Sequence, residues 1–202
     1  MNYLAIDTAN KNLTVIICKE GNIYKYYDNE CGVKHSTELM PRVEELALKA
    51  DFDFKTADFF ACVIGAGSFT GIRIGVATIK AMCFAFDKPC LAITSFDALA
   101  YNKADGKILA IIDAKHDGYY VCGYNDGVVD LAPSFVSGAE VKKLSEKYKL
   151  VSSSEIDATD CETISMADGL IKAIEKKVDF ITKDTDALTP LYVRKSQAEE
   201  GR

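Results

Sequence analysis

Two aspartates sit where chemistry can start. Asp7 ends the apolar run Leu4-Ala5-Ile6, and Asp113 ends Ala110-Ile111-Ile112. A carboxylate at a strand end can meet a nucleotide or an ordered water, or cap the following turn through its own side chain. The turn after Asp7, Thr8-Ala9-Asn10-Lys11-Asn12, contains no glycine, which hinders close backbone approach to a phosphate. A second candidate region is Gly65-Ala66-Gly67-Ser68-Phe69-Thr70-Gly71-Ile72-Arg73-Ile74-Gly75. It follows an apolar run and opens a helical pattern, where backbone N–H groups can face an anion. It is neither a Walker A loop, since Thr70 and Gly71 occupy the Gly and Lys places, nor a dinucleotide fingerprint, since Thr70 replaces the third Gly. A tight turn with glycines at positive φ explains the same string. Asp7, Thr8, Gly67, Ser68 and Asp113 are therefore the candidates for contact with a cofactor, and no tightly bound cofactor is assigned.

Other chemistry lacks its residues. The only histidines, His35 and His116, stand far apart, and neither HxxxH nor HExxH occurs, so no metal centre is assigned. His35 precedes a helix and reads as structural or surface; His116 reads as a solvated loop residue. Ser68 directly follows Gly67, so the segment is not a GxSxG nucleophile elbow, and no catalytic residue is assigned. The seven cysteines form no CxxC pair and mostly sit in apolar runs, as small hydrophobes of a reducing compartment do.

These residues need elements to hold them. Tyr3–Asp7, Leu13–Lys19 and Ile23–Tyr27 are expected as strands, with a hairpin turn at Gly21-Asn22. Ser36 is expected to cap a helix carrying Leu39, Val43, Leu46, Ala47 and Ala50 on one face, with Pro41 kinking it or marking its first full turn. A buried strand over 59–64, a helix from the glycine-rich turn to about Phe86, a strand over 90–94 and a short helix from Ser95 follow. The second half repeats this order: strands over 107–113, 119–124 and 128–131, a helix from the capping box Ser137-x-x-Glu140 to about Tyr148, a strand over 149–152, and an amphipathic helix marked by Ile164, Ala167, Leu170, Ile171 and Ile174. The expected division is 1–103, 104–183 and a tail, 184–202, that packs back or is partly disordered.

The helix after the glycine-rich turn is apolar nearly all round, with Arg73 and Lys80 its only charges. Such a helix is buried on more than one face. Gly71 and Gly75 lie on one stripe and permit a close helix approach. Both a docking partner and the helix's own sheet can supply that contact, and the two readings stay open.

The net charge of -6 makes a poor stand-alone nucleic-acid binder. The start of the chain reads without a signal peptide, and no apolar run approaches the length of a membrane span. A cytoplasmic protein is expected.

A duplicated βββαβα unit resembles the two-lobed α/β layout of the actin, sugar-kinase and Hsp70 superfamily, which is ribonuclease H-like. The string Gly65 to Gly75, with Ala5-Ile6-Asp7-Thr8, His35-Ser36, Leu39, Pro41, Ile112-Asp113-Ala114-Lys115, Tyr119-Tyr120 and Pro190-Leu191-Tyr192-Val193-Arg194, is similar to the bacterial TsaB (YeaZ) family. Ala66 departs from it, because the family usually has Pro there. The resemblance implies a non-catalytic subunit required with a TsaD paralogue and a TsaE ATPase for threonylcarbamoyl transfer to N6 of adenosine 37 in tRNAs reading ANN codons. It implies a partner face on the helices matching Ser36 to Ala50 and Thr70 to Phe86, the same face being able to form homodimers, and tRNA held mainly through the complex. Leu39, Val43, Gly71, Arg73, Gly75, Thr78, Ile79 and Met82 are the expected interface. ATP or ADP at that interface is left open. The alternative from the fold alone is a small ATP-dependent phosphotransferase using Asp7 and Asp113.

Overall fold

The computed structural model describes residues 1–103, 106–115, 118–156 and 160–194. Each half of the chain builds a five-stranded mixed sheet. In the first, β1 (Tyr3–Asp7), β2 (Leu13–Lys19) and β3 (Asn22–Asp28) form an antiparallel meander. Strands β4 (Phe59–Val63) and β5 (Cys90–Ile93) add in parallel beyond β1, giving the order β3-β2-β1-β4-β5. In the second, β6 (Lys107–Asp113), β7 (Gly118–Asn125) and β8 (Val128–Ser137) are antiparallel, and β9 (Lys149–Ser152) and β10 (Cys161–Thr163) are parallel to β6, in the order β8-β7-β6-β9-β10. The two orders match strand for strand. Strand β10 has no apolar pattern, with Glu162 and Thr163 exposed, and is absent from the sequence-based expectation for that reason.

The helices repeat less faithfully. Helix α1 (His35–Ala50) joins β3 to β4, α2 (Phe69–Phe86) joins β4 to β5, and α3 (Ser95–Ala100) follows β5. Helix α4 (Gly138–Leu144) joins β8 to β9, and α5 (Met166–Lys177) follows β10. Among the described residues α2 has no counterpart, because only residues 153–160 separate β9 from β10.

Local chemistry sets most boundaries. The hairpins turn on Glu20-Gly21 and Asp126-Gly127, with φ of 53° and 84°, and 49° and 81°. Two-residue loops with positive φ at both positions match the right-handed strand twist. The first turn lies one residue before its expected place. The capping box of Ser137 and Glu140 forms, although α4 ends at Leu144 and not near Tyr148. One expected cap moves: α1 starts at His35 behind Lys34, which makes no side-chain cap, so Ser36 lies inside the helix, whereas α3 starts at Ser95 as expected, capped by Thr94 in a box with Asp97. Pro41 sits in the second turn of α1, which continues to Ala50.

Two compact units result. One holds Met1–Ile93 with Lys177–Pro190, and the other Thr94–Lys176 with the described residues from Leu191. The division thus falls at Ile93/Thr94 and not at 103/104, because α3 packs on β6, β7 and β9. The segment from Lys177 returns to β5, where Cys90 and Thr182 exchange backbone hydrogen bonds of 2.7 and 3.0 Å. The expected tail is therefore shared between the units, and residues 195–202 lie outside the described residues.

Both cores are apolar and dense. In the first unit Leu4, Ile6, Val15, Ile17, Phe60 and Ile72 are fully buried. Tyr3 stacks on Phe59 at 5.1 Å, and Phe54, Phe60 and Phe86 form a second aromatic group. In the second unit Leu109, Ile111, Val121, Val141 and Leu150 form the core. All seven cysteines are free thiols, and only Cys161 is not buried.

Helix α2 corrects one expectation. At 18 residues and mean hydropathy 1.4 it is long and apolar enough to cross a membrane by composition. Gly71, Ile72, Gly75, Val76, Ile79, Met82 and Cys83 are buried, and the helix packs against β1, β4 and β5, as a core helix of its unit.

In the second unit, a methyl group on Gly169 of α5 would fall on the carbonyl group of Ala98 in α3. Relieving that clash requires helix displacement, so Gly169→Ala is expected to cost about 1–3 kcal/mol. Urea denaturation followed by circular dichroism checks this, and an unchanged midpoint would contradict the packing.

Candidate functional site

The two candidate segments, far apart in sequence, meet in the first unit. The Thr8 hydroxyl donates to the carbonyl oxygen of Gly71 at 2.7 Å, and the Ser68 amide donates to the carbonyl oxygen of Ala9 at 2.7 Å. Ser68 caps α2 by accepting from the Gly71 amide at 3.3 Å. Gly65 and Gly67 have φ of 119° and 153°, which favours glycine over residues with a Cβ. A Cβ on Gly67 or Gly71 would coincide with the carbonyl oxygen of Ala9 or Thr8. On Gly75 it would stand 2.6 Å from the Thr8 hydroxyl and 3.2 Å from the Cys62 sulfur. The glycine stripe therefore receives the protein's own β1–β2 turn and β4, which decides between the two readings left open by the sequence.

Behind this seam lies a buried polar cluster. Asp7 is 1% exposed; its Oδ1 accepts from the Ala9 amide at 2.8 Å, while Oδ2 has no hydrogen-bond partner. Thr14 lies directly across the β1–β2 ladder from Asp7, fully buried, and its hydroxyl is also unpartnered. The Asn12 side chain lies close enough to favour the ionised carboxylate, yet its nitrogen has no partner within hydrogen-bond geometry. His35 is buried and its Nε2 donates to the carbonyl oxygen of Asn12 at 3.0 Å, so Nε2 carries the proton. The expected structural role of His35 holds: it ties α1 to the turn. Burial pushes the Asp7 carboxyl up from 3.8 to about 6, against the lowering effects of the Ala9 amide, the His35 charge and the Asn12 side chain.

Asp113 holds the equivalent strand end in unlike surroundings. It is exposed, its Oδ1 accepts from the Lys115 amide at 2.7 Å, and its Oδ2 pairs with the Lys115 ammonium at 2.8 Å. His116 lies outside the described residues.

The expected interface residues divide sharply. Leu39, Val43, Gly71, Gly75, Ile79 and Met82 are buried within the first unit, so no partner reaches them without opening it. Thr78 is half-buried and Arg73 exposed. A helix apolar on every side does not show by its sequence which side is free. The outward face is instead Arg73, Ala77, Ala81, Phe84 and Ala85, with Ile74 and Thr78 half-buried beside it. Phe84 is 91% exposed, and on neighbouring α1 Leu48 is 77% and Met40 50% exposed. The spacing of Ala77, Ala81 and Ala85 is visible in the sequence, but which side faces out is not.

Duplicated sheets of this order define an α/β protein with an actin-like fold repeated in its two halves. Residues 29–199 match the family model described as TsaD: tRNA N6-adenosine threonylcarbamoyltransferase. The tRNA threonylcarbamoyladenosine biosynthesis protein TsaB of Bacillus subtilis is 34% identical over 64% of this chain and 58% of its own length. The TsaB of Buchnera aphidicola is 27% identical over 72% of both chains. YeaZ from Pseudomonas aeruginosa shares the fold, with a TM-score of 0.73 at 21% identity over 95% of this chain and 99% of that one. The chain belongs to the TsaB (YeaZ) family, within the sequence group that the TsaD model describes. It spans about 58% of the length of its Bacillus subtilis relative.

Because the folded pKa of Asp7 is raised, its ionisation opposes folding. The penalty is absent below the unfolded value of 3.8, grows as pH rises, and is complete above about 6. A shift of that size corresponds to about 3 kcal/mol, so Asp7→Asn is expected to stabilise the protein by about 1–3 kcal/mol at pH 7.5, with the gain shrinking towards pH 4. Thermal melts of both proteins across that range check it, and a pH-independent difference would refute the assignment.

Proposed function

We propose that this chain is a non-catalytic subunit that acts with a TsaD-like paralogue and a TsaE-like ATPase in threonylcarbamoyl transfer to N6 of adenosine 37 in tRNAs reading ANN codons. The observation that carries this reading is the outward face of α2. A side chain as large as Phe84 standing 91% exposed beside a row of alanines is an apolar surface suited to being covered by another protein. The alanines let a second helix approach closely, and Phe84 has the size and position of an anchor residue. Helix α2 is also the one helix that the described residues do not duplicate in the second half.

The names of the Bacillus subtilis and Buchnera aphidicola relatives support a role in threonylcarbamoyladenosine biosynthesis. The non-catalytic part of the reading rests on the candidate site. Asp7 is sealed behind its own turn, and the Asp113 carboxylate is engaged by Lys115. Among the described residues no three His, Cys, Asp or Glu side chains converge as metal ligands would. The reading assigns this chain no tightly bound cofactor, and ATP or ADP at the partner interface stays open. The net charge of -6 fits a subunit whose tRNA is held mainly by the complex, and such a complex works in the cytoplasm.

The partner face thus moves from the glycine side of α2 to Ala77, Ala81, Phe84 and Ala85, joined by Met40 and Leu48 of α1. The same face serves a homodimer when the paralogue is absent. Phe84→Asp is expected to leave the melting temperature and circular dichroism unchanged. It should weaken co-elution with TsaD by at least about 30-fold, the equivalent of losing one anchor residue. Reconstitution with TsaD, TsaE, threonylcarbamoyl-adenylate and tRNA tests the function itself. Modification that proceeds equally well without this chain overturns the proposal.

A further inference from the structure

The polar cluster around Asp7 is closed to almost everything but a proton. Asp7 and Asn12 are 1% and 5% exposed, Thr14 is fully buried, and Asp7 Oδ2, Asn12 Nδ2 and Thr14 Oγ1 each lack a hydrogen-bond partner. Buried polar groups are nearly always paired, so these three atoms, with Asn10 Nδ2 a fourth on the same turn, mark a place where a second hydrogen-bond arrangement is available. Asp7 and Thr14 are directly opposed in the β1–β2 ladder, and their side chains share one face of the sheet. A protonated Asp7 has an O–H to donate to the Thr14 hydroxyl. An ionised Asp7 can only accept, and its charge, enclosed at 1% exposure, gains hydration when the turn lifts away.

The turn is mechanically tied to two helices. The carbonyl oxygen of Asn12 holds His35, the first residue of α1, while Thr8 and Ala9 hold Gly71 and Ser68 at the start of α2. A change at Asp7 therefore reaches both helix N-termini through one five-residue turn, without crossing the apolar core.

We propose that the Asp7 carboxyl group is a proton-operated latch: protonated, it closes the β1–β2 turn onto the N-termini of α1 and α2, and ionised, it loosens that grip. The titratable groups facing it are His35 on α1, Tyr27 on β3 and Cys62 on β4. Tyr27 and Cys62 are themselves pushed upward by burial and by the Asp7 charge, so neither ionises near neutrality. His35 favours the ionised carboxylate, and its contribution is separated from that of Asp7 by substitution. The sign follows from burial. Because the carboxyl is pushed up to about 6, the closed arrangement gains stability as pH falls through that value and loses it as pH rises above it. Any effect on docking through α1 and α2 rests on the partner face proposed above, whereas the latch itself is read in the isolated chain.

Hydrogen exchange of the isolated protein between pH 5 and pH 7.5, corrected for intrinsic exchange, tests this. The reporters are the amides of Ser68 and Gly32, hydrogen-bonded to the turn carbonyls of Ala9 and Lys11. Their protection is expected to fall by at least about tenfold from pH 5 to pH 7.5, while core amides of β6 do not change. In Asp7→Asn the protection should be high and flat with pH, and in His35→Gln the fall should persist with its midpoint shifted. The fall surviving in Asp7→Asn, or vanishing in His35→Gln, would overturn the proposal, as would protection independent of pH in the wild type. A failure of Phe84→Asp to impair TsaD binding would refute the partner face and leave these exchange results untouched.

Discussion

The first unit is organised around one steric fit: the backbone of the β1–β2 turn pressed into the glycine side of α2. Thr8 and Ala9 occupy space that side chains at positions 67, 71 and 75 would fill, and two hydrogen bonds fasten the contact. This single seam fixes much else. It sets the depth at which α2 sits on β1 and β4. It closes the strand end over Asp7, and it decides which flank of the helix looks outward. The family's distinctive glycine string is thus first a packing device. Glycine here costs roughly 1 kcal/mol of helix propensity per residue relative to alanine, and the close approach of the turn offsets that loss.

The seam also explains why the strand-end chemistry reads as quiet. A glycine-rich turn at the start of a helix has the right dipole for an anion. Here, however, the Ser68 amide is already bonded to the Ala9 carbonyl, and the Ser68 hydroxyl serves as the helix cap. Asp7 is enclosed rather than presented. The two halves have diverged at equivalent positions: one strand-end carboxylate is buried and raised in pKa, the other exposed and paired with Lys115. Duplication of the fold did not preserve a symmetric pair of active carboxylates.

Much of the architecture was legible in the sequence, because its signals are local. Apolar runs ending in aspartate gave β1 and β6, and the Ser137–Glu140 box gave the start of α4. The family string was equally legible. Strand β10 was not, since three residues without an apolar pattern carry no signal and take their place only by pairing with β9. The orientation of α2 was not legible either. A helix apolar on every side has no preferred inward face by periodicity, and only its neighbours break the tie. The outward row of Ala77, Ala81, Phe84 and Ala85 was visible as residues and invisible as a surface. The orphaned atoms of Asp7, Asn12 and Thr14 likewise depend on a cross-strand register that no spacing rule supplies.

The return of residues 177–190 to the first unit has a consequence for how the protein is made. Strand β5 is the border of its sheet, and its backbone is met by Thr182, about ninety positions later in the chain. On the ribosome, the first sheet can assemble while that border is still bare, and it stays so until nearly the whole second unit has emerged. A bare strand border is a template for pairing with a neighbouring chain. The late-arriving segment is therefore a guard against self-association on the polysome as well as a finishing piece of the fold.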